Sequence, residues 1–169
     1  MAQAQTGERT AEQVARAAFD AFIAHDVEGV LAHWHPEGIQ DWVALGIFRG
    51  HDEMRPLFQS VFAAMPDMEM VIEETTSDER RSVIQWRQRG THTGTFMGIE
   101  PTGRTLEMRG VDIMEVENGL IVKNTVYYDG AAQARMLGLL PAQGSGAEKT
   151  LIGAFNGVNK LRRAIADRT

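Results

Sequence analysis

The order of elements along the chain predicts an α+β fold, with N-terminal helices packed on one face of a curved antiparallel sheet. Three observations carry this expectation. Apolar residues recur at helical spacing as far as Met65. From Asp67 onward they alternate at strand spacing. The strands are divided by "PTG" at 101–103 and "ENG" at 117–119, turn sequences in which Gly is free to take positive φ. Such a sheet leaves a concave side beneath its helices, a usual place for a small-molecule pocket.

The elements follow in order. Met1 to Arg9 reads as a loose terminus. Thr10 with Gln13 forms a capping box for a first helix, whose stripe is Val14, Ala18, Ala21 and Phe22. Asp26 is placed to cap a short second helix through Val27, Val30, Leu31 and Trp34. Gly38 to Arg49 is β-like. Asp52 is expected to cap a third helix with Met54, Leu57, Phe58, Val61, Phe62 and Met65 on its buried side, ended by Pro66. Strands are expected over Asp67–Thr76, Arg80–Thr95, Arg104–Glu117 and Leu120–Asp129, then a short helix over Gln133–Leu140. "AQGSG" at 142–146 reads as a linker. A final amphipathic helix carries Leu151, Phe155, Val158, Leu161 and Ile165 on one side.

Composition narrows the function classes. The chain has 169 residues, a length suited to one domain with a real core. It has no cysteine, hence no disulfide framework, no thiolate metal site and no thiol nucleophile. Its formal charge of −6 argues against nucleic acid as a partner. Met1–Glu8 lacks the apolar core of a signal peptide, and no run approaches the roughly 20 apolar residues that span a bilayer. A cytoplasmic protein is expected, although the segment from Glu148 to Thr169 is locally basic.

One residue stands out. In the strand around Met108–Val116, the face carrying Met108, Met114 and Val116 also carries Asp112. A three-residue 117–119 loop would set Met114 opposite Val122, Asp112 opposite Asn124 and Met108 opposite Tyr128, with all apolar residues on one face. The neighbouring strand has Ile84, Trp86 and His92 at one parity, so His92 is expected to point inward with Asp112 and Asn124, among Trp86, Met108, Met114 and Tyr128. A carboxylate in such surroundings loses hydration and its pKa rises toward the range of a general acid/base. An adjacent His or Asn is suited to orient it or to support an oxyanion. The alternative is a core carboxylate satisfied by Asn124 alone.

These stretches also resemble a known family. "GTHTGTFMG" at 90–98, "PTGR" at 101–104, "RGVD" at 109–112, "ENGLI" at 117–121, "YD" at 128–129 and "LGLLP" at 137–141 resemble the SnoaL-like polyketide cyclases of the NTF2-like superfamily. The resemblance covers roughly Ala11 to Pro141. It implies a cone-shaped α+β barrel over residues 10–141, with 1–9, the 142–146 linker and the 147–169 helix outside it. It also implies a homodimer through the outer sheet face, where Val111, Ile113, Ile121 and Tyr127 would form an apolar strip. The implied activity is a cofactor-free intramolecular aldol closure, or a related isomerisation, on a hydrophobic polyketide-like ketone or ester, of the kind met in secondary metabolism. Asp112 would be its acid/base, and His92 and Asn124 further catalytic candidates. The chain departs from the family's frequent His-Trp pair, having Asn124-Thr125 in its place.

His33, His35 and Asp41 match no zinc spacing, so no metal site is expected. Asp41 is a second acid/base or substrate-contacting candidate by similarity to the ketosteroid isomerase branch, with Trp42 beside it as a pocket wall. Two other readings remain open: an epoxide hydrolase or hydratase, which requires Asp41 or Asp129 to join Asp112, and a binding module without catalysis.

Overall fold

The structure, a computed structural model, describes residues 9–166. The expected loose terminus therefore lies outside the described residues but for Arg9, as do Asp167, Arg168 and Thr169 at the other end. Two units are distinguished, the first ending at Gly130 and the second beginning at Ala131.

The first unit opens with α1 (Ala11–Ile23). Its capping box is formed: Gln13 N donates to Thr10 Oγ1, and Thr10 N donates to Gln13 Oε1. α2 (Val27–Leu31) is capped by Asp26, which accepts from Gly29 N. It stops before Trp34, because His35 precedes Pro36 and is held in extended conformation. Trp34 instead begins β1 (Trp34–Trp42), which turns into β2 (Gly46–Arg49). α3 (Gly50–Ala64) begins two residues before the expected Asp52 cap. Its first turn is closed by Arg49 N donating to Glu53 Oε2, while Asp52 lies within the turn and meets the positive end of the helix dipole. α1 and α3 pack through aromatic edges, with Phe22 4.9 Å from Phe62 and 5.9 Å from Phe58 between ring centroids.

The meander follows as β3 (Glu69–Ser77), β4 (Arg81–Thr91), β5 (Thr105–Glu117) and β6 (Leu120–Tyr128). The sheet order is β2-β1-β6-β5-β4-β3, antiparallel except for the parallel β1–β6 pair. The sheet curves without closing, and α1–α3 contact its strands. β4 ends four residues earlier than expected. There the chain leaves the sheet so that Thr93 N and Gly94 N both donate to Ala64 O at the end of α3. A Cβ at Gly94 would lie 2.3 Å from Ala63 O, so only glycine permits this approach.

The β5–β6 register corrects the sequence expectation. The loop has two residues, Asn118 and Gly119, both at positive φ (50° and 75°), and Glu117 pairs with Leu120. That is the turn whose twist matches a hairpin. Such a loop alone would bring polar Lys123 to the inner face. A bulge prevents this: Val116 pairs with Ile121 and Glu115 with Lys123, leaving Val122 as the extra residue. Beyond it Met114 pairs with Asn124, Asp112 with Val126 and Gly110 with Tyr128. The two-residue turn itself sets Ile121 opposite inward Val116, where it is fully buried. Ile121 is therefore a core residue and not part of an outer strip.

The second unit contains α4 (Gly130–Leu137) but for its first residue, and α5 (Gly146–Ala166). Arg135 of α4 donates to Glu148 of α5 at 3.2 Å, and Glu148 also accepts from Gly144 N. Among the described residues no helix is long and apolar enough to cross a membrane.

Candidate active site

Asp112 lies at the centre of the concave face, flanked by Ile84 on β4 and Val126 on β6. Strand alternation brings it there: in β5 the buried positions are Leu106, Met108, Gly110, Asp112, Met114 and Val116. Its carboxylate accepts two hydrogen bonds. Trp86 Nε1 donates to Oδ2 at 2.5 Å, and Asn124 Nδ2 donates to Oδ1 at 2.5 Å. Asn124 reaches it diagonally across the β5–β6 pair and not from the directly opposed position. The indole reaches it because Gly110 has no side chain. A Cβ at Gly110 would stand 2.3 Å from Cζ2 of Trp86.

Burial dominates the electrostatics here. It pushes the Asp112 carboxyl up to about 6, while the bonds from Asn124 and Trp86 pull the other way. Asp112 is the one buried carboxylate among the described residues. Tyr128, diagonal to it beside Gly110, is raised to about 12 by burial, so its hydroxyl stays protonated near neutrality.

Around this carboxylate lie buried polar atoms with no protein partner. They are Asn124 Oδ1, Gln40 Oε1, Trp42 Nε1 and the Tyr128 hydroxyl. Gln40 pairs in register with Asn124, and Trp42 with Val126, so β1 brings both to the same face. Trp42 and Tyr128 meet edge to face at 6.5 Å. Unpartnered buried groups are costly, and several on the same sheet face as one buried carboxylate suit a polar ligand. A separate cleft of about 810 Å³ opens by the turns at Arg80 and Asn118, bordered by Arg9, Asp78 and Glu117. None of the unpartnered buried atoms borders it.

The family model for SnoaL-like polyketide cyclases matches residues 12–137. The chain belongs to the SnoaL-like polyketide cyclase family. Similar solved structures include AclR, a proposed hydroxylase from Streptomyces galilaeus, at TM-score 0.67 and 22% identity over 77% of this chain and 96% of that one. IdmH, a proposed polyketide cyclase from Streptomyces antibioticus, gives 0.65 and 23% over 77% and 99%. A proposed SnoaL-like cyclase from Jannaschia gives 0.69 and 17% over 81% and 99%. At these identities the likeness shows the fold, that of the NTF2 and ketosteroid isomerase-like proteins. No protein of curated function matches the sequence.

Within this SnoaL-like frame the expected site residues separate. Asp112, Asn124, Trp86, Trp42 and Tyr128 come together on the concave face, with Met114 beside Asn124. Met108 shares that face but pairs with Gln88, two positions beyond Gly110. Two candidates do not join them. His92 points inward and is buried, as its parity implied, yet Asp112 pairs with Ile84, eight positions back along β4. At a strand rise of about 3.3 Å per residue, His92 is more than roughly 20 Å away. Its Nδ1 is held by Thr102, accepting from the backbone N–H at 3.2 Å and lying 3.1 Å from the hydroxyl. Asp41 alternates with inward Gln40 and Trp42, so it lies on the opposite face. No three His, Asp or Glu side chains converge to hold a metal among the described residues.

Gln40 was missed. Its signal was present, since Trp42 as a pocket wall implies that Gln40, two positions back, shares its face. The hydrogen bond from Trp86 was also missed, because it depends on the space over Gly110.

Proposed function

We propose that the concave site performs cofactor-free acid/base chemistry on a hydrophobic polyketide-like ketone or ester, closing a ring by intramolecular aldol addition. The observation that carries this reading is the desolvated Asp112 carboxyl, near 6 and surrounded by unpartnered polar groups. At neutral pH Asp112 is mostly ionised and serves as the base. It takes a proton from the carbon beside the substrate carbonyl. The resulting enolate carbon bonds to a second carbonyl carbon of the same molecule, and the new alkoxide takes the proton back from Asp112. A C–H bond and the π bond of the attacked carbonyl are exchanged for C–C and O–H bonds, and the enzyme ends unchanged.

The surrounding groups suit the charge that develops. The Tyr128 hydroxyl and the Trp42 indole N–H are buried donors, able to meet the oxygens on which negative charge appears. Asn124 suits both states of Asp112. Its Nδ2 donates to the carboxylate, and after an amide flip its free Oδ1 would accept from the protonated acid. Met114 and Trp86 supply apolar wall for the rest of the substrate.

Epoxide hydrolysis is disfavoured, because among the described residues no second carboxylate is buried with Asp112: Asp41 faces away and Asp129 is exposed. A homodimer in this reading would use the convex strip of Val111, Ile113 and Tyr127. The direct test follows α-proton exchange of bicyclic aromatic ketones in deuterated buffer by NMR. Acceleration that rises through about pH 6 and is lost in Asp112→Asn is expected. Ketone binding without exchange, and with pH-independent affinity, would leave a binding module in its place.

A further inference from the structure

α5 lies beyond the family match at 12–137, and its apolar side is exposed: Leu151 at 53%, Phe155 at 65%, Val158 at 50%, Leu161 at 64% and Ile165 at 59%. The helix also carries Gly153 and Gly157 in its middle, each costing about 1 kcal/mol relative to Ala. Such a helix gains its stability from packing and not from propensity. The spacing says what packs on it. Ala147, Leu151, Ala154, Val158, Leu161 and Ile165 follow one another at intervals of four and three, the seam of a two-helix coiled coil.

We propose that α5 pairs antiparallel with α5 of a second copy of this chain. Antiparallel alignment puts Ala147 against Ile165, Ala154 against Val158 and Leu151 against Leu161, a small residue meeting a larger one in two of the three layers. Each contact recurs in reverse, as a twofold requires. Phe155 then meets its own counterpart beside the axis. A parallel pair would instead stack Ala147 on Ala147 and Ala154 on Ala154 and leave gaps. Charge favours the same choice. The first half of α5 holds Glu148 and Lys149, while the second holds Lys160, Arg162 and Arg163. A parallel pair brings the two basic halves together; the antiparallel pair sets each against a neutral half. The exposed seam supplies on the order of 500 Å² per copy, about 1,000 Å² in all, at the lower edge of specific interfaces.

The test uses the full chain, which has no native cysteine to interfere. Phe155→Cys should be joined to a second Phe155→Cys chain by a short bis-maleimide at least tenfold faster than Leu161→Cys joins to itself. In the proposed register the two 161 positions lie ten residues apart, roughly 15 Å along the axis. A mixture of Leu151→Cys and Leu161→Cys chains should give the crossed product. As a second readout that leaves Phe155 in place, Leu151→Glu/Leu161→Glu should weaken self-association at least tenfold in sedimentation equilibrium. Faster joining at 161 than at 155 would overturn the antiparallel pair. Unchanged association with no crossed product would show that α5 is not a contact between copies. Flotation of the chain with vesicles of 70% phosphatidylcholine and 30% phosphatidylserine, lost in the double variant, would assign the face to a membrane surface and also refute the pairing.

Discussion

Replacing Asp112 by Asn should separate the stability of the protein from its chemistry in a pH-dependent way. In the folded chain the carboxyl sits at about 6 against an ordinary 3.8. A raised acid binds its proton more tightly in the folded state, so its contribution to stability is full below about pH 4 and is lost as pH rises through 6. The shift of roughly two units corresponds to about 3 kcal/mol. Asn carries no charge and has the shape of the acid. Its oxygen can accept from Trp86, and its amide can donate to a flipped Asn124. Asp112→Asn is therefore expected to be more stable than the parent by up to about 3 kcal/mol at pH 8, with the difference vanishing near pH 4. Asp67, Asp78 and Glu148 have lowered pKa values and push stability the opposite way as pH falls. They are common to both proteins and cancel in the difference. Urea unfolding of the pair at several pH values gives the quantity. A difference flat between pH 4 and 8 would refute the claim that Asp112 is desolvated.

Further expectations follow from single contacts. Trp86→Phe removes one donor to the carboxylate, so the Asp112 midpoint should move above about 6, seen as a shift of the acid limb of any exchange-rate profile. Gly110→Ala drives a methyl into the Trp86 ring and should cost about 1–3 kcal/mol in urea unfolding, with a change in indole fluorescence. A flat response would mean that the ring does not lie over Gly110. Ile121→Ala should cost about 2–5 kcal/mol, whereas half-buried Val122→Ala should cost much less; equal costs would deny the two-residue turn register. Thr10→Ala breaks the capping box and should cost about 1 kcal/mol, with no effect on exchange chemistry.

Period alone made much of the fold legible. Val14, Ala18, Met54, Phe58 and Phe62 declare helical faces, and Met108 to Val116 declare a strand with one inward carboxylate. Asp112 could be singled out because parity is a local property. What parity does not carry is distance along a strand. His92 shares the inward face, but it belongs to a different part of it, because the β4–β5 register and not alternation decides what meets Asp112. The Asp112–Asn124 contact was reached through the wrong register. The two-residue turn and the bulge at Val122 offset one another, and a bulge leaves no period to read. Asp41 failed for the opposite reason: resemblance suggested it, while alternation with Trp42 already put it on the other face. Gln40 needed only that same alternation. The stripe on α5 was legible as well, although its partner depends on a second chain.

The measurement that bears most directly on the site is the titration of Asp112 itself. Aspartate labelled with carbon-13 at the side-chain carboxyl, with the resonance assigned by its loss in Asp112→Asn, gives the midpoint by NMR without any substrate. A midpoint near 6 is expected. A midpoint at or below the ordinary value of about 3.9 would show a carboxylate stabilised by its two donors as an ion, and would contradict its role in taking and returning a proton.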